Sequence, residues 1–305
     1  ILCISSVDWD FNWQIPQSVM SSFAKNGNRV LYVDNLGVRA PTIKDFGRLK
    51  KRILNWRRGI SGIRQEADNL FIYSPLALPF PYSRIARFIN RQILLYTLQK
   101  WFKITNFNNI ILWVCLPSPI VLDIIDYLDF RAMIYYCRAD FFSSSPSAKK
   151  AQKSEEKIIK KSDLVFVNCR NIFEYCRRFS NNVHIFPPGV DFGLFSRKNK
   201  EATSRPAELG KIKGRIVGYM GSIHQWVDMD LLLSLVKQNQ DLSFVFIGPV
   251  HASISLLAKF PNVYFLGQKD HSVLPNYIKY LDVGIIPYLR NDYTKGVYPA
   301  KLNEY

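Results

Sequence analysis

The sequence has no apolar stretch near the roughly 18–20 residues that a bilayer-spanning helix needs, so it does not read as an integral membrane protein. It lacks Gly-x-x-x-x-Gly-Lys-Ser/Thr, which excludes a P-loop. No Gly-x-Gly-x-x-Gly follows the first apolar run, which argues against a nicotinamide or flavin dehydrogenase. Only four histidines occur, His184, His224, His251 and His271, with no i, i+4 pair, so neither a zinc site nor a Ser-His-Asp triad is expected. The five cysteines (Cys3, Cys115, Cys137, Cys169, Cys176) form no Cys-x-x-Cys and read as reduced core thiols. Acidic residues are scarce: 24 Asp and Glu face 41 Lys and Arg, a net charge of +17. Residues 1–186 hold 27 basic and 14 acidic residues (net +13), and 187–305 hold 14 and 10 (net +4). The field that would draw a polyanion or an anionic membrane is therefore concentrated in the first part. The basic residues do not follow a recognisable nucleic-acid-binding motif, and no nucleic-acid partner is expected.

What the sequence does have is a rhythm of short apolar runs alternating with helix-like spacing. Strands are expected at Ile1–Ser5, Arg29–Val33, Leu70–Tyr73, Ile110–Cys115, Ala132–Tyr136, Leu164–Val167 and Val183–Phe186. A second series covers Ile216–Met220, Ser243–Ile247, Val263–Phe265 and Val283–Pro287. Runs apolar at every position suit parallel strands buried on both faces. Helical spacing fills the gaps at Gln17–Lys25, Arg84–Phe102, Pro119–Leu128, Lys149–Lys161 and Leu231–Lys237. The class is α/β, with two Rossmann-like domains facing each other across a cleft. The first domain is expected over 1–195, a polar linker over 196–213 and the second domain over 214–305. The chain begins inside an apolar run and stops inside a helical pattern, so the reading expects a piece of a longer protein with a truncated second domain.

Residues Lys44–Arg64 break the rhythm, with eight basic residues interleaved with Ile53, Leu54 and Trp56. Such a segment suits an anionic membrane surface, at about 1 kcal/mol per basic residue, or an ordinary solvated face. Two Asp-x-Asp triplets occur, Asp8-Trp9-Asp10 and Asp228-Met229-Asp230. Such pairs can hold a divalent metal on a diphosphate, but Asp228 precedes a leucine run and reads as a helix cap, so no metal is expected. Val217-Gly218-Tyr219-Met220-Gly221-Ser222 reads as a strand entering a glycine turn, where the backbone can approach a phosphate closely. At the end of the chain, Tyr298-Pro299-Ala300-Lys301-Leu302-Asn303-Glu304-Tyr305 puts Lys301 and Glu304 on one helical face. The carboxylate can accept from ribose hydroxyls while the ammonium neutralises a diphosphate, or the two can form a surface ion pair.

Taken in order, these segments resemble the GT-B glycosyltransferases, specifically the retaining family 4 type of capsule and teichuronic-acid synthesis. Trp13-Gln14-Ile15-Pro16-Gln17, Pro187-Pro188-Gly189-Val190-Asp191, Phe246-Ile247-Gly248-Pro249 and Pro299…Lys301…Glu304 carry the likeness. The resemblance implies a hexosyltransferase working from a nucleotide sugar, UDP- or GDP-type, without metal or other cofactor and with retention at the anomeric carbon. The acceptor would be a glycan or a lipid-linked glycan, met in the cytoplasm at the inner face of the plasma membrane. It implies donor contacts from Gly221, Ser222, His224, Trp226, Asp228, Arg290, Tyr298, Pro299, Lys301 and Glu304. Acceptor contacts would come from Asp8, Trp9, Trp13 and Gln17, and catalytic roles would fall to Asp140, Lys301 and Glu304. The family's Arg after the phosphate-loop glycine is Ser222 here, its nearby Lys is Val227, and its first paired Glu is Gly296. Those departures leave open a non-catalytic sugar-nucleotide or glycan-binding relative, or an epimerase on the same fold.

Overall fold

The computed structural model describes residues 1–10, 13–36, 62–78, 80–138, 148–196 and 205–305. Asp140 and most of Lys44–Arg64 lie outside them, as does the middle of the expected linker. The chain divides into two compact units, Ile1–Pro187 and Pro188–Tyr305, so residues 188–195 group with the second.

Among its described residues the first unit is built on eight strands: β1 (Leu2–Ile4), β2 (Val30–Val33), β3 (Ile63–Ala67), β4 (Leu70–Tyr73), β5 (Ile111–Val114), β6 (Ala132–Cys137), β7 (Leu164–Val167) and β8 (Val183–Ile185). Their order is β3-β4-β2-β1-β5-β6-β7-β8, parallel throughout except for β3. Leu2 pairs with Leu31 on one side and Leu112 on the other, so β1 is central and buried on both faces. The helices Ile15–Lys25, Arg84–Thr105, Pro119–Tyr127, Gln152–Lys161 and Arg170–Cys176 accompany the sheet. All five cysteines are free, and four are buried, as apolar fillers should be. The unanticipated strand is β3, Ile63-Arg64-Gln65-Glu66-Ala67. It is polar because it lies at the sheet edge, where no second apolar face is required.

Among its described residues the second unit has four parallel strands, β9 (Ile216–Met220), β10 (Ser243–Ile247), β11 (Val263–Gly267) and β12 (Val283–Gly284), in the order β11-β10-β9-β12. The chain steps outward from β9 to β11 and then returns to the other side of β9. This creates a topological switch point between β9 and β12, and ligands of open α/β sheets bind beyond the carboxyl ends of strands at such points.

Candidate functional site

At the carboxyl end of β9 the backbone turns at Gly221 (φ +137°), and at the end of β10 it turns at Gly248 (φ +146°). Neither conformation suits a side chain. The Gly221 N–H donates to the Ile247 carbonyl at 2.8 Å, and the Gly248 N–H donates to the Gly267 carbonyl at 2.8 Å. The turns pack so closely that a Cβ on Gly248 would lie 2.2 Å from the Gly221 carbonyl oxygen.

Above the first turn sits Lys301. Its Nζ would be 3.0 Å from a Cβ on Gly221, which puts the ammonium directly over the turn. Nζ donates to Tyr288 Oη at 2.6 Å and reaches Tyr219 Oη at 3.5 Å. It also lies 4.7 Å from the centroid of each ring. Burial, reinforced by Tyr288, holds the Tyr219 phenol well above its ordinary value, so it stays neutral. Lys301 is thus cradled by two π faces and a phenol oxygen, which stabilise a cation without cancelling its charge. Among the described residues it makes no salt bridge.

The ion pair that spacing allows between Lys301 and Glu304 does not form. The Glu304 carboxylate instead approaches His271 Nε2 at 3.7 Å, and the His271 ring lies edge-on to Phe195 at 5.5 Å. Tyr305 ties the same short helix, Lys301–Glu304, to the sheet: the Met220 N–H donates to its Oη at 2.9 Å, and its ring fills the space a Cβ on Gly284 would need.

The loop 222–228 completes the surroundings. The Ser222 carbonyl accepts from Tyr219 Oη at 2.9 Å. His224 Nδ1 accepts from the Trp226 N–H at 3.2 Å, which leaves Nε2 to carry the proton of the neutral ring. Burial first, then Lys301 and His251, hold His224 below the usual histidine range. Trp226 stacks on Tyr293 at 4.4 Å. Asp228 caps the helix Met229–Gln238 by accepting from the Leu231 N–H at 2.9 Å, the role its position suggested. Tyr298 Oη donates to Asn303 Oδ1 at 3.1 Å, and Asn303 Nδ2 donates to the Pro188 carbonyl at 2.6 Å. The Pro299 carbonyl accepts from the Leu302 N–H, opening the last turn, and Arg290 is exposed. Of the expected donor residues, Gly221, Ser222, His224 and Lys301 gather at the switch point, while Glu304 turns toward His271. Tyr219, Tyr288 and Tyr305 carry no sequence signal because an aromatic in or beside an apolar run reads as core, and scattered His271 carries none because its partner Glu304 comes from a distant segment.

In the first unit, Asp8 Oδ1 accepts from the Asn35 N–H at 3.1 Å, and the Trp9 N–H donates to the buried Asp34 at 2.7 Å. Trp9 is buried edge-on against Trp13 and Tyr32, and Trp13 is partly exposed with Nε1 donating to Ser18 at 2.8 Å. Gln17 is wholly buried. Its Nε2 donates to the Asp8 carbonyl at 3.3 Å, and its Oε1 accepts from the Gln14 N–H at 3.1 Å. Gln17 therefore ties the backbone at Asp8 and Trp9 to the start of the helix; with both Trp9 and Gln17 buried, they act as supports here and not as the exposed acceptor contacts expected of them. Gln17→Ala is expected to lower stability by about 1–3 kcal/mol in urea unfolding, since it strands buried partners. Unchanged unfolding would mean that the segment does not depend on these bonds.

No protein-family model matches the sequence. The chain is 28% identical over 212 residues to TuaH of Bacillus subtilis strain 168, described as a teichuronic acid biosynthesis glycosyltransferase. The match covers 64% of this chain and 52% of that protein, so the chain spans about half the length of this curated relative. Sucrose-phosphate synthase from Thermosynechococcus elongatus superposes with a TM-score of 0.67 at 13% identity, over 94% of this chain and 74% of that one. HepE of Anabaena, solved with UDP and glucose, superposes at 0.58 and 12% identity, over 93% and 72%. The fold is that of the GT-B proteins, with two Rossmann-like domains.

Proposed function

We propose that the protein transfers a sugar from a nucleotide donor to a glycan or lipid-linked acceptor in cell-surface polysaccharide synthesis. One observation carries this reading: an unneutralised ammonium, Lys301, stands over a glycine turn at the switch point of a parallel sheet. That is where a diphosphate finds both a cation and a close backbone. Lys301 would offset the charge that builds on the departing diphosphate, and His224 Nε2–H would donate to it. Glu304 would accept from the ribose hydroxyls, with His271 keeping it oriented. The Asp8–Trp13 loop, and Asp140 beyond the described residues, would face the acceptor. The named function of TuaH supports this assignment, as does the GT-B fold. The resemblance to the retaining type implies that no metal takes part and that the anomeric configuration is kept. Its site of action would be the cytoplasmic face of the membrane.

A non-catalytic sugar-nucleotide-binding relative is the second reading. It is favoured by Ser222 and by Val227, which is buried and bridges to Tyr288 where the family carries a cation.

The test is thermal unfolding of the full chain against UDP, GDP, ADP, TDP and their common sugars. One nucleotide at 100 times its dissociation constant adds about 2.7 kcal/mol of stability. Glu304→Ala is expected to remove that gain. No shift with any nucleotide overturns the donor site, whereas binding without transfer or hydrolysis selects the non-catalytic reading.

A further inference from the structure

The helix Arg84–Thr105 packs Ala86, Asn90, Leu94, Leu95 and Leu98 inward. Its opposite face should then be polar, as in the helix Gln152–Lys161, which exposes Gln152, Lys153, Lys157, Lys160 and Lys161. It is not. Ile85 (75% exposed), Phe88 (55%), Ile89, Ile93 and Tyr96 (67%) dominate the outward face at i, i+3 and i+4 spacing, with exposed Gln92 as the polar residue among them. From Ile85 to Tyr96 the row extends about 16 Å. The segment ahead of the helix continues it with exposed Leu76, Leu78 and Phe80. Asn90 fixes this segment to the helix: its Oδ1 accepts from the Leu78 N–H at 2.7 Å, and its Nδ2 donates to the Leu78 carbonyl at 2.9 Å. A largely apolar exposed face of this kind marks a contact with something outside the chain.

We propose that this face seats on an anionic lipid bilayer surface. The helix carries Arg84, Arg87, Arg91, Lys100 and Lys103 and no acidic residue. Arg87 and Arg91 share the carboxylate of Asp123, at 2.6 and 4.0 Å, with Asp126 also acting on Arg87 and the Arg91 guanidinium lying over the Phe88 and Tyr127 rings. Arg84, Lys100 and Lys103 are exposed beside the apolar row, with the Lys100 ammonium 5.9 Å from the Tyr96 ring. Apolar side chains flanked by long cationic ones suit the headgroup boundary, where the chains sink and the charges stay with lipid phosphate. The same charges disfavour a second copy of this chain, because a two-fold contact would set cations against cations. At 22 residues the helix is long enough to span a bilayer, yet no helix of the described residues is apolar enough to cross. Seated on a bilayer, it would lie in the interface plane.

The experiment is flotation of the full chain with vesicles of phosphatidylglycerol and phosphatidylcholine, and with vesicles of phosphatidylcholine alone. Binding is expected to be at least tenfold stronger to the mixed vesicles. Phe88→Ser with Tyr96→Ser is expected to weaken it at least tenfold while leaving the melting temperature and any nucleotide-induced shift as in the parent. Lys100→Gln with Lys103→Gln is expected to narrow the difference between the two vesicle types. The proposal is overturned if the parent chain does not float, or if the Phe88/Tyr96 variant floats as well as the parent. It is also overturned if light scattering shows a dimer that this variant dissociates, for then a second copy occupies the face. None of these outcomes depends on whether a nucleotide binds the second unit.

Discussion

Lys301→Met is expected to reduce sugar transfer by about 10²–10³-fold, the usual effect of removing one fixed donor from developing negative charge. Methionine keeps an unbranched stem of similar length between Tyr219 and Tyr288, so packing is preserved and only the charge is lost. Because Lys301 makes no salt bridge among the described residues, its removal leaves no unpaired carboxylate and the melting temperature should move by a degree or two at most. Nucleoside diphosphate affinity should fall alongside turnover, while a nucleoside without phosphates should bind the variant and the parent alike. Steady-state kinetics and calorimetric titration would check both. Activity within threefold of the parent would mean that the diphosphate does not meet this ammonium, and the donor site would have to be sought elsewhere.

The second large effect is expected at Gly248, which touches no substrate in this reading. Gly248→Ala forces a side chain into a left-handed backbone conformation and drives its Cβ to 2.2 Å from the Gly221 carbonyl oxygen. The first cost is about 1–3 kcal/mol and the second, an overpacked contact with rigid backbone, is of similar size. Together they are a large fraction of the roughly 5–15 kcal/mol that holds a domain folded. Melting of the second unit should fall by about 10 °C or more. Gly189→Ala is the control: nothing lies within 4 Å of its added Cβ, and it should melt as the parent does. If the two variants melt together, the turns at Gly221 and Gly248 are looser than their packing indicates. The distinction matters because the turn under Lys301 owes its shape to this contact.

Much of the fold could be read directly from residue order, and the reason is physical. Parallel strands buried on both faces must be apolar at every position, which is why Leu70–Tyr73, Leu164–Val167, Ile216–Met220 and Ser243–Ile247 were found with their full bounds. The polar edge strand Ile63–Ala67 carries no such signal, since half its surroundings are water. Asp228 was legible as a cap because capping depends on the next three residues alone. The electrostatics of the candidate site were not legible in the same way. Helical spacing placed Lys301 and Glu304 side by side, but spacing records which partners are possible within a helix and not which groups arrive from elsewhere. His271, 33 positions before Glu304, engages the carboxylate, and Tyr219 and Tyr288 engage the ammonium. The tyrosines look like core in sequence, and by burial Tyr219 is core; only their hydroxyls, converging on one nitrogen, set them apart.

The central position of β1 has a consequence in time. Its register with β2 can be made once the chain has reached Val33, but Leu2 pairs on its other side with Leu112. On a ribosome adding about 5–20 residues per second, that neighbour appears on the order of 10 s after β1 itself. Through that interval Leu2, Cys3 and Ile4, all fully buried in the finished sheet, have a partner on one flank only. The segment that ends at the centre of the first unit is thus the one that waits longest in a half-made state, and the one a nascent-chain chaperone would have most reason to hold.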